Sequence, residues 1–424
     1  MTDAMTTAPE LASAPTALAA RPQPLGVFGL PLGYLLIPAG TANDAVRATL
    51  LDGNEPDTWP EALRALELAH RGETEAALGL LTAEDPVTRY NRFVLAPDGA
   101  DTDTLRAELG EFGVLVDVVL FTVGRSDTPP EAGAAIDVDA ELAAVALSAQ
   151  ASNALAQGDP AAAVALLDRA VEAASAVVPR LAGVLCGAAG SICRDIGDES
   201  AAGRLERALR LLDGAEGLRV GRAELHLELA GLMHERAQDN PGLLAQAVPH
   251  YHAALQLVLR DEAPLVWAAA HANLATAYLT MPMVEASGQL RLGVAAQSLR
   301  SALKVYTPEQ YPEQWASVQL NLANSLVYTP SKHQADNLVE AVELYEGVLA
   351  ARDRETDPLG RARVLANQGN ALAHLGVFDQ ARAKLYEARF LFEEQQDHDS
   401  VRAVRGVLDE IARQVTLVRT EEAP

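Results

Sequence analysis

Among residues able to do chemistry, His226 and His234 stand eight positions apart, with Glu224, Glu228 and Glu235 close by. These are types that hold metal ions. Two ligands carried on one helix usually sit four apart, so that they share a face. At eight, the set reads as a solvated helix face. His250 and His252 fall on different sides of their helix and cannot chelate together. Cys186 and Cys193 lie about two helical turns apart, too far to bridge easily, and read as buried small hydrophobes. Met281-Pro282-Met283 reads as loop filler rather than a soft-metal site. The chain has no GxxxxGK[ST], no GxGxxG after a strand, no HExxH and no GxSxG. It is therefore read as a non-enzyme with no cofactor and no metal. One polar pattern does recur. Asn273, Asn321 and Asn367 follow one another at steps of 48 and 46 residues, and Asn324 and Asn370 sit one turn beyond the last two.

The elements that must position these amides are helices. Val364 to Leu391 reads as two short amphipathic helices folded back on each other. Leu365, Gly369 and Leu372 give the first a small apolar face, and Gly376 and Asp379 interrupt it. Ala381, Leu385 and Ala388, at i, i+4 and i+7, form one stripe of the second. Two small residues around a large one let a neighbouring helix approach closely and insert a side chain. This hairpin resembles the tetratricopeptide repeat, a helix–turn–helix unit of about 34 residues. Gly369, Leu372, Gly376, Phe378 and the stripe carry the resemblance, and the proline expected after the second helix is missing.

One hairpin cannot bury its own apolar face, so copies must stack beside it. The stripe recurs as Ala163–Leu167–Ala170, Ala201–Leu205–Ala208, Ala247–Tyr251–Ala254, Ala295–Leu299–Ala302 and Ala341–Tyr345–Val348. The six copies are spaced by 38, 46, 48, 46 and 40 residues, which implies long connections. Pro312-Glu313-Gln314-Trp315-Ala316 and Asn337-Leu338-Val339-Glu340-Ala341 look like a bacterial variant of the repeat. Trp267-Ala268 repeats that opening one unit earlier.

In chain order, residues 1–24 read as a disordered Ala/Thr/Pro tail. Residues 25–126 read as a mostly helical N-terminal domain, whose irregular apolar start, Leu25 to Gly40, reads as an extended or turn-rich segment, with a strand from Tyr34 to Ile37 as the alternative. That domain holds one degenerate repeat, marked by Gly72, Ala77 and Leu81. Asp85-Pro86 should cap a helix through Leu95, Thr104 to Phe112 is helical in pattern, and the β-branched run at Val114 is read as helix. Residues 127–137 are a linker, 138–395 hold six repeats, 396–418 form a capping helix starting near Asp399-Ser400, and 419–424 are a tail.

Composition limits the partners. A net charge of −25 argues against nucleic acid or an anionic membrane. Residues 1–20 have neither the basic start nor the unbroken apolar core of a secretory signal. The longest apolar run holds Asp117 and is too short to span a bilayer. Two cysteines are too few for a disulfide framework, so a reducing cytoplasm is expected.

The resemblance implies an all-α, right-handed superhelical α-solenoid that binds a protein or an extended peptide. An adaptor or assembly factor is the leading expectation, and a sensor module binding a small molecule or signalling peptide the alternative. The first helices of such repeats line the inner surface. The resemblance therefore implies a ladder in which Asn273, Asn321, Asn324, Asn367 and Asn370 offer donors and acceptors to a peptide backbone. The alternative is that each amide bonds a neighbouring helix. The corresponding earlier positions are read as Ala149, Gly187 and Glu228. Of the basic clamp that some members use on a carboxylate, Arg363 is available, whereas Ala272 and Thr276 occupy other expected positions.

Overall fold

The computed structural model describes residues 26–38, 40–131, 139–281, 287–328 and 333–421, and among these every regular element is a helix. The tail 1–24, residues 132–138 of the linker region and Met283 lie outside them. Six helices come first: α1 (Thr41–Leu51), α2 (Arg64–His70), α3 (Thr74–Leu80), α4 (Pro86–Leu95), α5 (Thr102–Leu109) and α6 (Val114–Thr122). Hairpins follow as α7 (Ala140–Ala156) with α8 (Pro160–Ser175), and α9 (Pro179–Asp195) with α10 (Ala201–Leu211). Next come α11 (Arg219–Glu235) and α12 (Gly242–Leu257), followed by the pair α13 (Pro264–Thr280) with α14 (Ser287–Ala302). Then come α15 (Pro312–Tyr328) with α16 (Gln334–Ala351), α17 (Pro358–His374) with α18 (Phe378–Glu394), and the final α19 (His398–Glu421). The chain forms two compact units, Met1–Leu232 and Met233–Pro424. Within each, helices pack mainly on their sequence neighbours, the pattern of an α-solenoid.

Local chemistry sets the hairpins. Asp139, Asp159 and Asp357 accept hydrogen bonds from backbone N–H groups in the first turns of α7, α8 and α17. Proline opens α8, α9, α13 and α17, where its missing N–H is no loss. Gly376 ends α17 at φ +76°, and the N–H groups of Gly376 and Val377 bond back to Ala373 and Leu372.

The six stripes are the core. Each of their residues is buried, none more than 3% exposed. A Cβ added at Gly369 would stand 2.7 Å from Leu385 Cγ, and one at Gly190 would stand 2.9 Å from Leu205 Cδ2. Glycine in the first helix is what admits the central leucine of the second.

The apolar start of the N-terminal region is turn-rich and extended rather than the alternative strand. Tyr34 to Ile37 is not a strand: a 3-10 turn, Leu32–Tyr34, leads into extended backbone. Leu35, Leu36 and Ile37 are all buried. The peptide groups of Leu36 are satisfied by one side chain, since its N–H donates to Asn91 Oδ1 and its carbonyl accepts from Asn91 Nδ2, both at 2.7 Å. A buried amide from α4 thus does what a partner strand would do. The run at Val114 is helix, as read. Asp85 caps α4 through the Thr88 N–H at 3.0 Å. The degenerate repeat is the hairpin α2–α3 with Gly72 at φ +80°, but Leu81 lies just past the end of α3.

This region packs on the first repeats inside the first unit. Gly217 N–H donates to Gly53 O at 3.0 Å, and Glu216 N–H to Asn54 Oδ1 at 2.7 Å. The residue that caps α19 is Asp397, which accepts from Ser400 N–H at 3.0 Å, rather than Asp399 or Ser400. That helix runs past residue 418 to Glu421.

Candidate functional site

Six helices, α7, α9, α11, α13, α15 and α17, are each 17 residues long. Asn273, Asn321 and Asn367 are the tenth residues of α13, α15 and α17, and Asn324 and Asn370 the thirteenth of the last two. The tenth residues of the earlier helices are Ala149, Ala188 and Glu228. Ala188 thus corrects Gly187, where an added Cβ would meet Leu225 Cδ2 at 2.9 Å, so that glycine faces the interior.

The asparagines divide into two groups. Asn324 and Asn367 are bonded to each other and to the core: Asn324 Oδ1 accepts from the Tyr345 hydroxyl at 2.6 Å and from Asn367 Nδ2 at 3.0 Å. Tyr345 is 1% exposed, and burial holds its phenol well above the usual range, so it acts as a donor. These bonds leave Asn324 Nδ2 and Asn367 Oδ1 to point elsewhere. Asn273 is exposed, and Asn321 and Asn370 half-buried; among the described residues none of the three makes a side-chain hydrogen bond. Asn370 borders a cavity of about 480 Å³ between α17 and α19, with His374, Val407 and Glu410.

Arg363, the sixth residue of α17, is exposed. It adds to the pull of Ser400, whose N–H and hydroxyl hold the Asp397 carboxyl below its ordinary range. The sixth residues of α13 and α15 are Ala269 and Ser317, both accessible. The sixth, tenth and thirteenth positions of α13, α15 and α17 therefore hold Ala, Ser, Thr276 and five asparagines, with Arg363 the single charge. That is an amide- and hydroxyl-bearing face with a single charge on a chain of net charge −25.

Other candidates have structural partners. Ser191 Oγ donates to Glu228 Oε2 at 2.6 Å, and burial, helped by Glu228, raises the Glu224 carboxyl. Burial depresses His234. Among the described residues, no three His, Cys, Asp or Glu side chains group as a metal site. Cys186 and Cys193 are buried and unbridged, and the Cys186 thiol donates to Arg204 O at 3.4 Å. Burial raises its pKa, as suits an inert thiol.

Sequence reasoning took Tyr345 as core alone and missed its hydroxyl. The signal was there: tyrosine replaces the central leucine of a stripe in a hairpin whose first helix carries Asn324.

No family model matches the chain, and no curated protein does. A solved structure titled "Structure of Naa15/Naa10 bound to HypK-THB" matches 86% of this chain at 13% identity, with a TM-score of 0.19. This chain spans 64% of the length of that one. Among the described residues no helix is long and apolar enough to cross a membrane.

Proposed function

We propose that this chain is a non-enzymatic scaffold that holds a partner protein by an extended segment across the aligned face of α13, α15 and α17. The observation that carries the reading is that Asn273 and Asn321, tenth residues of α13 and α15, and Asn370, thirteenth residue of α17, make no side-chain hydrogen bond among the described residues, whereas Asn367 is bonded to Asn324. Asparagine is a mediocre helix former that competes for backbone bonds, so its recurrence calls for a role. An amide offers a donor and an acceptor together, which matches the alternation of N–H and C=O along an extended peptide. The near absence of charge fits recognition of backbone rather than of charged side chains. An adaptor or assembly factor in a reducing cytoplasm is the role that suits such a face.

The test starts from the full chain as bait and a captured, purified partner. Affinity is then compared for wild type and the Asn273→Ala/Asn321→Ala/Asn370→Ala triple variant, whose side chains make no bonds within the described residues. Each lost amide should weaken binding by about 0.5–1.5 kcal/mol with little change in melting. Because the face carries one charge, Arg363, affinity should vary only modestly between low and physiological salt. Unchanged affinity in the triple variant would refute the proposal.

A further inference from the structure

The same register face is built differently in the first unit. There the sixth, tenth and thirteenth residues of α7 are Val145, Ala149 and Ser152, and the sixth and tenth of α9 are Val184 and Ala188. No amide remains. Across this face run the start of the described chain and the end of α6. Gly26, at φ +73°, passes so close that an added Cβ would lie 3.2 Å from Leu181 Cδ1 and 3.4 Å from Val145 Cγ2. Its N–H donates to Gly33 O at 3.1 Å, which fixes the turn.

What remains between these parts is a cavity of about 340 Å³. Its floor is apolar and buried: Val145, Ala149, Leu181 and Leu185. Its sides carry the hydroxyls of Tyr34, Thr122, Ser148 and Ser152, with Phe121 beside them. Thr122 Oγ1 donates to Val118 O at 2.7 Å and is also the hydrogen-bond partner of the Tyr34 hydroxyl, whereas Ser152 Oγ donates to Ser148 O at 3.1 Å and keeps its acceptor capacity. None of the described residues lining the cavity is charged.

We infer that this cavity is a binding site for a neutral, largely apolar small molecule bearing one or two hydrogen-bonding groups. The volume falls at the lower end of small-molecule sites, which pair apolar walls with a few placed polar groups. A charged ligand would lose its hydration without gaining a counter-charge, a cost that no wall residue offsets. The inference stands apart from the peptide face, because the cavity and α13–α17 belong to different compact units.

The test uses the full chain and two fluorescent probes with the same arylaminonaphthalene core: neutral N-phenyl-1-naphthylamine and its anionic sulfonate. The neutral probe should bind saturably and at least tenfold more tightly than the sulfonate. Ala188→Trp, at an exposed wall position, should fill the space and weaken neutral-probe binding at least tenfold. Ser152→Trp, on the exposed rim, repeats the test should Ala188→Trp lower the melting temperature. Asn321→Ala should leave probe binding unchanged. Absence of saturable binding, equal binding of both probes, or full binding in folded Ala188→Trp and Ser152→Trp variants would overturn the inference.

Discussion

Replacing Asn324 by alanine removes the acceptor of two hydrogen bonds at once. The Tyr345 hydroxyl, 2.6 Å from Asn324 Oδ1, belongs to a residue only 1% exposed, so it would lose its partner inside the core. Asn367 Nδ2 would also lose its partner, but it is half-buried and can turn to water. An orphaned buried donor costs about 1–3 kcal/mol. Alanine is the better helix former and returns about 0.5 kcal/mol. The net loss should therefore be about 0.5–2.5 kcal/mol. At roughly 2–4 °C per kcal/mol for a unit of this size, melting should fall by several degrees. Asn321→Ala, in the same helix and without a side-chain bond, is the control and should be neutral or slightly stabilising. Thermal and urea unfolding of Asn324→Ala, Tyr345→Phe and the double variant would complete a double-mutant cycle. The double variant should be less destabilised than the two single losses added together, because removing both partners leaves no orphan. Tyr90 supplies an internal contrast, since its hydroxyl is buried with no hydrogen-bond partner among the described residues. Tyr90→Phe should be neutral or stabilising where Tyr345→Phe is costly. Equal stability of Asn324→Ala and Asn321→Ala would refute the reasoning.

Gly369→Ala should destabilise by about 1–2 kcal/mol in denaturant titration, since its Cβ would meet Leu385 Cγ at 2.7 Å and the Ala381 carbonyl at 3.2 Å. Gly203→Ala, with nothing within 4 Å of the new Cβ in α10, should instead stabilise by up to about 1 kcal/mol. Ala381→Leu, at a fully buried stripe position, should cost roughly 1–3 kcal/mol by overpacking. Burial, helped by the charges of Lys304 and His252, depresses the His271 pKa from 6.5 to about 4. The unfolded chain then binds the proton more readily, so this residue's contribution to stability is present above about pH 6.5 and is lost as pH falls towards 4. His271→Gln should flatten that part of the stability–pH curve, and an unchanged curve would exclude His271 as its source.

The stripes, their turn glycine and the cap at Asp85 were legible in the sequence because each depends on neighbours a few residues away. Alanine at i and i+7 around leucine or tyrosine at i+4, a glycine in the turn and Asp85 before Pro86 say the same thing locally that they do in the fold. Helix was also right for the β-branched run at Val114, where the absence of partner strands outweighed propensity. What the sequence left open was decided by distance along the chain. Leu36 is satisfied by Asn91, 55 residues away, so an extended segment needed no sheet. Asn324 finds Asn367 across 43 residues and Tyr345 across 21, which separates it from the equally spaced Asn321. The choice of Ala188 over Gly187 needed the true start of α9, because a shift of one residue turns a helical side chain by about 100°. Periodicity fixes which face of a helix is apolar. Which polar groups on the other face meet one another is set only when neighbouring helices take their places.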